Sequence, residues 1–243
     1  MTSVRVTVNS PSGTVTAFVA VPSSPVEVAE VVPALHELDD SLVAESVAAT
    51  DRQHRKITCR FGCTACCYQL VPVSEVEARF LNKLVDSLPR DQSDAVRASA
   101  AAVVRDLDAE GHLPEMSRFD RLSHSDLTSL ATRYFRMHAP CPFLEGETCS
   151  IYEQRPLACR EYLVTSPSER CEQFGEETVE RVPLPISLFS HLTRNGRIRS
   201  EPLVLALQRA DRPVDLDYLL PGAVHLKRLL EDDQPRMEGD DPR

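Results

Sequence analysis

The sequence predicts a mainly α-helical protein with a small N-terminal β-hairpin and irregular loops that carry cysteines. Three observations lead to this fold class. Two short runs rich in β-branched residues open the chain. Beyond them, apolar residues recur largely at helical spacing, with recognisable helix starts. Four of the eight cysteines are isolated from one another along the chain, on separate turns.

The hairpin comes first along the chain. Residues 4–8 and 15–21 are rich in valine and threonine, and the run NSPSG between them is typical of a turn. The prolines at positions 22 and 25 end the second run. Residues 1–23 are therefore predicted to form the N-terminal β-hairpin.

Helical segments follow the hairpin. A helical linker is predicted over residues 24–56, with an interruption near Pro33 because proline lacks a backbone N–H. Ser74 and Glu77 form a capping box that starts the next helix, which runs to about Leu88. Further helices are predicted over 92–109, 125–137, 186–193, 202–210 and 221–230.

The composition restricts the compartment and the partners that we expect. A chain of 243 residues with 42% hydrophobic residues can bury a core without disulfides. The N-terminus does not resemble a signal peptide, and no stretch approaches the ~18 apolar residues of a membrane helix. We therefore expect a soluble, cytoplasmic protein. The net charge of −10 argues against nucleic acid or an anionic membrane as a partner.

The first group of cysteines is the most informative feature of the chain. Cys59, Cys63, Cys66 and Cys67 lie within the nine residues CRFGCTACC. Their offsets follow one stripe of an α-helix, and the last three would share a face even if Gly62 broke that helix. Arginine, lysine and histidine crowd positions 52–60, and their positive charge is expected to lower the pKa of nearby thiols.

The second group of cysteines is widely spaced. The gaps between its members are seven, nine and eleven residues, unlike the paired Cys-x-x-Cys hooks of zinc fingers. Its members are Cys141, Cys149, Cys159 and Cys171. In a reducing compartment such thiols are metal ligands or redox groups rather than disulfide partners.

Several neighbouring side chains are candidates for supporting roles. Arg155 and Arg160 would place hydrogen-bond donors near the sulfurs. His54 and His138 lie close to Cys59 and Cys141 in sequence, and we interpret them as solvated or hydrogen-bonded side chains rather than ligands. We interpret Tyr152 and Tyr162 as packing residues beside the site.

Together, the two cysteine segments resemble a known family. The run CRFGCTACCYQLVPVSEVEA, followed by CPFLEGETCSIYEQRPLACREY, is similar to the CxxCxxCC proteins, which are described as zinc- or iron-chelating and are also called YkgJ-like cysteine-cluster proteins. The resemblance covers about residues 57–172. It matches Cys63, Cys66, Cys67, Cys141, Cys149 and Cys159 to family cysteines, while Cys171 matches a more variable one. Cys59 departs from the family spacing by one residue.

The resemblance implies a metal-binding protein, with all eight cysteines as candidate ligands for one site or two. We prefer iron, held as an iron–sulfur cluster, and keep zinc as the alternative, because the gaps in the second group lack the form of zinc hooks. A metal-dependent modifying enzyme similar to flagellin lysine N-methylase is a second hypothesis. A thiol redox protein is a third, because Cys63 and Cys66 form a CxxC pair. No catalytic residue and no protein partner is indicated.

The predicted organisation places a metal-binding unit between helical segments. A helical metal-cluster domain is expected at residues 57–172, after the hairpin and the helical linker. A C-terminal helical extension follows over 173–230. Residues 231–243 are acidic and poor in apolar residues, so we expect a disordered tail there.

Overall fold

A computed structural model describes residues 1–10, 13–173, 179–194, 198–209 and 219–231 of the chain. The predicted acidic tail falls outside the described residues from position 232 onward. The helices are α1 Val32–Arg52, α2 Glu75–Ser87, α3 Arg90–Ala109, α4 Leu113–Met116, α5 His124–Arg136, α6 Leu157–Arg160, α7 Leu188–Thr193, α8 Leu203–Ala206 and α9 Gly222–Leu230. The strands are β1 Thr2–Ser10, β2 Gly13–Val21, β3 Pro25–Val26, β4 Pro72–Ser74, β5 Leu144–Glu145, β6 Thr148–Cys149, β7 Ser200–Pro202 and β8 Leu220–Pro221.

The predicted fold class is confirmed. Strands β1 and β2 form the antiparallel hairpin, with Thr2 opposite Val21. Three further antiparallel pairs, β3 with β8, β4 with β7 and β5 with β6, join distant parts of the chain or close short turns. Within the described residues there is no larger sheet, and short helices connect the cysteine-bearing loops.

The hairpin is not a free appendage, because one face of β2 packs on α1. Ala17, Val19 and Val21 alternate along the strand and are buried, as expected when one face of a strand meets the core. The intervening Phe18 is exposed. A side-chain carboxylate of α1, that of Glu37, also accepts a hydrogen bond from the N–H of Ala20 at 2.8 Å.

The proline that was expected to interrupt a helix lies instead in the first turn of α1. A 3₁₀ turn over Val28–Val31 leads directly into α1, and Pro33 lies in the first turn of the helix. The missing N–H of a proline has no helical acceptor at that position, so the residue is tolerated there. Leu35, Leu38 and Leu42 then bury one face of α1 completely.

Helix α2 begins at the predicted capping box. The Ser74 hydroxyl accepts a hydrogen bond from the N–H of Glu77, and the Glu77 carboxylate accepts one from the N–H of Ser74 at 3.0 Å. Pro89 separates α2 from α3. The predictions for α3 and α5 agree with the structure to within two residues, whereas α7 and α8 are shorter than predicted.

Three contiguous groups of buried side chains form the core. One lies between the hairpin, α1 and α9, a second between α2, α3 and α8, and a third between α3 and α5. Cys141 and Cys149 pack at the edge of the second group, so the cysteine loops rest on the scaffold formed by α2 and α8. In the part of the chain that the structure describes, no helix has the length and apolar character needed to span a bilayer.

Candidate metal centre

The first cysteine segment forms two tight turns rather than the predicted helix. Gly62 has a φ of +82°, a conformation that favours glycine and ends a helical path, and the N–H of Cys63 donates to the carbonyl of Arg60 at 3.0 Å. A 3₁₀ turn over Ala65–Tyr68 follows and contains Cys66 and Cys67. The stripe expected along one helix is therefore wrong, although four thiols still fall within two adjacent turns.

Backbone hydrogen bonds hold Cys59 against the segment after α6. The N–H of Thr58 donates to the carbonyl of Val164 at 3.0 Å, and the Thr58 hydroxyl donates to the carbonyl of Ser166 at 2.6 Å. In return, the N–H of Val164 donates to the sulfur of Cys59 at 3.4 Å. These contacts join positions that are about a hundred residues apart in sequence.

The second cysteine segment meets the first through its backbone. The N–H of Cys141 donates to the carbonyl of Cys67 at 2.7 Å. Cys149 ends β6, directly opposite Leu144 of β5, in a small hairpin that follows Cys141. Gly62 of the first segment also faces this hairpin. A Cβ atom added to Gly62 would lie 4.0 Å from the carbonyl oxygen of Glu147, which is ordinary van der Waals contact.

Helix α6 carries Cys159 and is positioned by two buried charged side chains. The carboxylate of Glu77 in α2 accepts a hydrogen bond from the N–H of Leu157 at 2.8 Å, at the first residue of α6. Arg160, on the last turn, pairs with Asp40 of α1 at 2.6 Å and donates to the carbonyls of Arg155 and Glu153. The position of Arg160 in the sequence suggested that it donates hydrogen bonds to the sulfurs. In the structure it instead holds the cysteine loop to α1.

Cys171 lies beside the first cysteine segment. It lies in a 3₁₀ turn over Ser168–Glu172, which packs against the turn of Ala65–Tyr68. Its pKa is raised to about 11, first by burial and then by the sulfurs of Cys59, Cys66 and Cys63. The most distant cysteine in sequence thus shares surroundings with three members of the first group.

The sulfur of Cys66 raises the pKa of thiols in both groups. A hydrogen bond with Cys67, followed by burial, raises the pKa of Cys66. Burial raises the pKa of Cys141 to about 12, and the sulfurs of Cys149 and Cys66 add to this effect. Burial also raises the pKa of Cys159 well above its usual range, and the sulfurs of Cys141, Cys66 and Cys149 act in the same direction. Cysteines from the two segments therefore surround a common region.

Backbone N–H groups point at three of these sulfurs. Burial raises the pKa of Cys59, Cys141 and Cys149, and in each case a backbone hydrogen bond opposes that rise. The donors for Cys141 and Cys149 are the N–H groups of Phe143 and Ile151, each two residues further along the chain. N–H donors to sulfur stabilise a thiolate, which is the form that binds a metal.

Arg155 supplies positive charge to the site. Its guanidinium carbon lies 4.0 Å from the centre of the Tyr152 ring. The charge opposes the raised pKa of Cys59, Cys66 and Cys149, and of Cys159. Its Nε is buried, and in the described part of the chain no hydrogen-bond acceptor faces it. A cation in this position suits a negatively charged thiolate centre.

The basic residues before Cys59 do not have the expected effect on the pKa of nearby thiols. Arg52 pairs with Glu45 at 2.9 Å, and Arg55 pairs with Glu180 at 3.0 Å. The thiols whose pKa departs from the usual value have it raised, because burial outweighs nearby positive charge. The cation that acts on several thiols is instead Arg155, about a hundred residues later.

The histidines and tyrosines near the cysteines differ in their surroundings. The ring of His138 stacks on that of Tyr68 with a centre-to-centre distance of 4.1 Å, whereas His54 is exposed. The hydroxyl of Tyr162 accepts a long hydrogen bond from the side chain of Gln69 at 3.5 Å, and Arg181 covers the ring of Tyr162 at 4.6 Å. The exposure of His54 agrees with a solvated histidine, and the contacts of Tyr162 agree with a packing residue.

The thiols are near one another without enclosing an ion. All eight cysteines are free thiols. Over the residues that the structure describes, no three side chains of histidine, cysteine, aspartate or glutamate stand close enough together to hold one metal ion. Binding a metal would therefore draw sulfur atoms closer than they lie here. The donor set itself, soft thiols with N–H groups and a cation around them, is suited to iron or zinc.

A cavity opens beside two of the cysteines. It has a volume of about 560 Å³, and Cys66 and Cys159 contribute to its wall. Most of the remaining wall is apolar, and its polar side chains include Gln69, Tyr162 and Arg181. One side of the cysteine cluster therefore faces a space large enough for a small molecule.

Comparison with known proteins identifies the family. A family model named CxxCxxCC, described as a putative zinc- or iron-chelating domain, matches residues 58–180, which are 123 of the 243 residues. The chain belongs to this family. The description of the CxxCxxCC domain supports metal binding and names both zinc and iron. No curated protein and no solved structure matches the chain significantly.

Proposed function

We propose that this CxxCxxCC protein binds iron, as an iron–sulfur cluster, through cysteines of both segments. The observation that carries the proposal is the contact between the two segments: the N–H of Cys141 donates to the carbonyl of Cys67 at 2.7 Å, and the turn that contains Cys171 packs against the turn of Ala65–Tyr68. The eight cysteines named above form the pool of ligands, enough for one site with spare thiols or for two sites. When bound, the cluster would supply one-electron redox chemistry or a structural crosslink.

One observation favours a cluster over zinc. The second group supplies thiols from separate turns rather than from paired hooks, and iron–sulfur clusters tolerate such irregular spacing. Backbone N–H groups aimed at Cys59, Cys141 and Cys149 would stabilise thiolates bound to either metal, and in a cluster they would also tune its potential. Zinc in a closed tetrahedron of four thiolates remains the alternative.

Metal and sulfide analysis tests the proposal. The full chain is purified without oxygen, and its iron, zinc and acid-labile sulfide are measured together with the visible absorption spectrum. A brown protein with iron and sulfide in comparable amounts is expected. A colourless protein with zinc and no sulfide would select zinc, and a protein without either metal would contradict the proposal.

A paired set of variants tests whether the cysteines hold the metal. Replacing the central thiol in Cys66→Ser should reduce metal content and cluster absorption several-fold. The control is Thr64→Ser, two residues earlier in the same segment, which removes no thiol and should keep the metal content of the unaltered protein. Equal metal content in both variants would remove Cys66 from the ligand set.

We propose that residues 57–172 form the metal-binding unit, in which α2 and α3 support the cysteine loops, with the hairpin, the helical linker and the C-terminal helices as further scaffold. Contacts between Cys67 and Cys141 and between Cys59 and Val164 support this division, since they lie within the proposed unit. The free thiols also support a reducing compartment such as the cytoplasm. Nucleic acid and membranes are not proposed as partners, because the net charge is −10.

A metal-dependent modifying enzyme is the second candidate, and the cavity beside Cys66 and Cys159 favours it. A structural centre is closed on all sides, whereas a catalytic one needs access for a substrate. Imidazole, a small metal ligand, is a suitable probe. If the cavity reaches an open iron, imidazole should change the electron paramagnetic resonance spectrum of the reduced protein.

A cavity-filling variant serves as the control for that experiment. Ala158 lies in the cavity wall, so Ala158→Phe should prevent the spectral change if it loads the same amount of iron. An unchanged spectrum with imidazole in the unaltered protein would indicate a closed structural centre. The thiol-redox hypothesis lacks comparable support, because in the described residues the CxxC pair of Cys63 and Cys66 lies in turns and not in a βαβ unit.

A further inference from the structure

A second cavity lies away from the cysteines and is rich in arginine. It has a volume of about 240 Å³ and is bordered by α2, by the 3₁₀ turn Phe119–Arg121 and by β7 with the residues that flank it. Five arginines contribute to its wall: Arg79, Arg118, Arg121, Arg199 and Arg209. None of the eight cysteines lines it.

The charge of this cavity is opposite to that of the protein. Its wall contains five arginines and three carboxylates, those of Glu75, Asp120 and Glu201; because Arg79 also pairs with Glu27 outside the wall at 3.8 Å, the formal charge with that partner counted is +1. The chain as a whole carries −10. Positive charge concentrated in a concave site of an acidic protein attracts small anions while general repulsion keeps large polyanions away.

Two of the arginines lie at the two ends of a single turn. The N–H of Arg121 donates to the carbonyl of Arg118 at 2.9 Å, as in a 3₁₀ turn. Arg118 precedes this turn and Arg121 ends it, and both residues line the cavity. Among the described residues, neither group has a carboxylate within ion-pair distance.

On the opposite wall of the cavity, carboxylates hold the arginines in place. The carboxylate of Glu75 accepts hydrogen bonds from the backbone N–H and the Nε of Arg199, both at 3.3 Å. Arg209 pairs with Glu201 at 3.6 Å. These side chains lose conformational freedom in the folded protein, so an anion that contacts them does not have to order them again.

The floor of the cavity is apolar. Met116 and Phe119 line it, with 1% and 6% of their surface exposed. A ligand with a short carbon body between charged groups would place that body on this floor. A guanidinium group can bind a phosphate or a carboxylate with two parallel hydrogen bonds.

We propose that this cavity binds a small dianion, either a phosphate monoester or a dicarboxylate, at a site separate from the metal centre. Arg118 and Arg121 contact the anion directly, while Arg199 and Arg209, each held by a carboxylate, line the opposite wall. The volume suits a molecule of a few carbon atoms with one phosphate or two carboxylates. The proposal does not depend on which metal the cysteines bind.

Calorimetric titration of the full, metal-loaded chain tests the proposal. Glycerol 3-phosphate and succinate are the probes, since both chelate metals weakly, and each is titrated at constant ionic strength. Saturable binding of one of them is expected, and the probe that binds more tightly identifies the class of anion. The visible spectrum, recorded before and after, should not change, which separates this site from the metal centre.

Variants decide whether the arginines are responsible. The double substitution Arg118→Gln with Arg121→Gln should weaken binding at least about tenfold, because charge-assisted hydrogen bonds are lost. The matched control is Arg90→Gln with Arg105→Gln, which removes the same charge from exposed positions of α3. Equal weakening in both pairs would indicate general electrostatics and overturn the proposal. Absence of saturable binding for both probes would overturn it as well.

Discussion

At the scale of single residues, Arg155 has the position that matters most for the proposed centre. Its charge acts on thiols of both segments, and its Nε–H is buried without an acceptor in the described part of the chain. A buried donor without an acceptor is costly, so a partner is expected when the site is loaded. A thiolate or sulfide of the proposed cluster would be such a partner.

We therefore predict that Arg155→Gln makes the bound cluster harder to reduce. Removing a nearby positive charge should lower the reduction potential, by an amount on the order of tens of millivolts, or reduce iron content. The measurement is a redox titration followed by absorbance. Arg60→Gln, at an exposed position beside Cys59, is the control and should shift the potential less. Identical potentials in both variants would assign Arg155 to packing on Tyr152 alone.

Asp39 is a second residue whose surroundings have a measurable consequence. Its carboxyl group is fully buried in α1, and burial, followed by Glu161, raises its pKa to about 8. Arg160 opposes that rise, while Asp40 and Glu77 add to it. The nearby His36 is also buried, and burial lowers its pKa to about 3.

These two groups act in opposite directions on stability. Asp39 holds its proton in the folded state up to about pH 8, whereas the unfolded chain releases it near pH 4, so the free energy of unfolding falls as pH rises between these values. His36 makes that free energy rise between about pH 3 and 6.5. The two slopes offset each other at acidic pH, which leaves a net fall above about pH 6.5.

The substitution Asp39→Asn should remove the fall in the free energy of unfolding above about pH 6.5. The unaltered protein should lose at most about 1.4 kcal/mol of stability per pH unit between pH 6.5 and 8 through this group, and the variant should lose less. Urea unfolding at several pH values under anaerobic conditions measures the difference. Asp51→Asn, at an exposed position of the same helix, should reproduce the slope of the unaltered protein. A variant with the same slope would show that Asp39 titrates normally.

At the scale of elements, one carboxylate joins the scaffold to the cysteine loops. Glu77 closes the capping box of α2 by accepting hydrogen bonds from the N–H and the hydroxyl of Ser74. It also accepts the N–H of Leu157, at the start of the helix that carries Cys159. With 1% of its surface exposed, it links α2 and α6 without competition from water.

The substitution Glu77→Ala should therefore lower the free energy of unfolding by more than an ordinary substitution at a helix cap. It leaves three buried donors without their acceptor, and we expect a loss of about 2–4 kcal/mol in the free energy of unfolding. The capping pair of α5, Ser123 with Asp126, offers a matched control because it is exposed. Asp126→Ala should cost about 1 kcal/mol or less. Chemical denaturation measures both, and similar losses would mean that the Leu157 contact contributes little.

At the scale of the whole molecule, the cysteine region has little regular structure of its own. Short turns and four-residue helices carry the cysteines, and few backbone hydrogen bonds join the two segments. The helical scaffold, by contrast, has continuous apolar packing. Metal–thiolate bonds would therefore contribute a large share of the stability of the cysteine-bearing segments 57–69 and 141–172, whereas α2, α3 and α5 between them belong to the packed scaffold.

Complete removal of metal should loosen the cysteine loops before the scaffold. Hydrogen exchange followed by mass spectrometry should show faster exchange over 58–69 and 141–171 in the metal-free protein, with α1 and α3 less affected. The melting temperature should fall at the same time. An unchanged melting temperature and unchanged exchange after verified metal removal would contradict a structural contribution from the metal.

The extent to which the fold could be predicted depends on how local each signal is. The capping box of α2 and the proline before α3 act within a few residues, so those boundaries agree closely with the prediction. The helical stripe across the first cysteine group was wrong, because Gly62 adopts a positive φ and the chain turns there. Periodicity alone does not register such a turn.

The chain by itself determined the helical class, the hairpin and the donor chemistry, because period, capping and thiol content are properties of neighbouring residues. Only the tertiary structure decided which groups meet: Cys67 with Cys141, Glu77 with Leu157, and the arginines of the second cavity. These contacts join positions about 40 to 130 residues apart, and packing of the core, rather than local preference, brings them together.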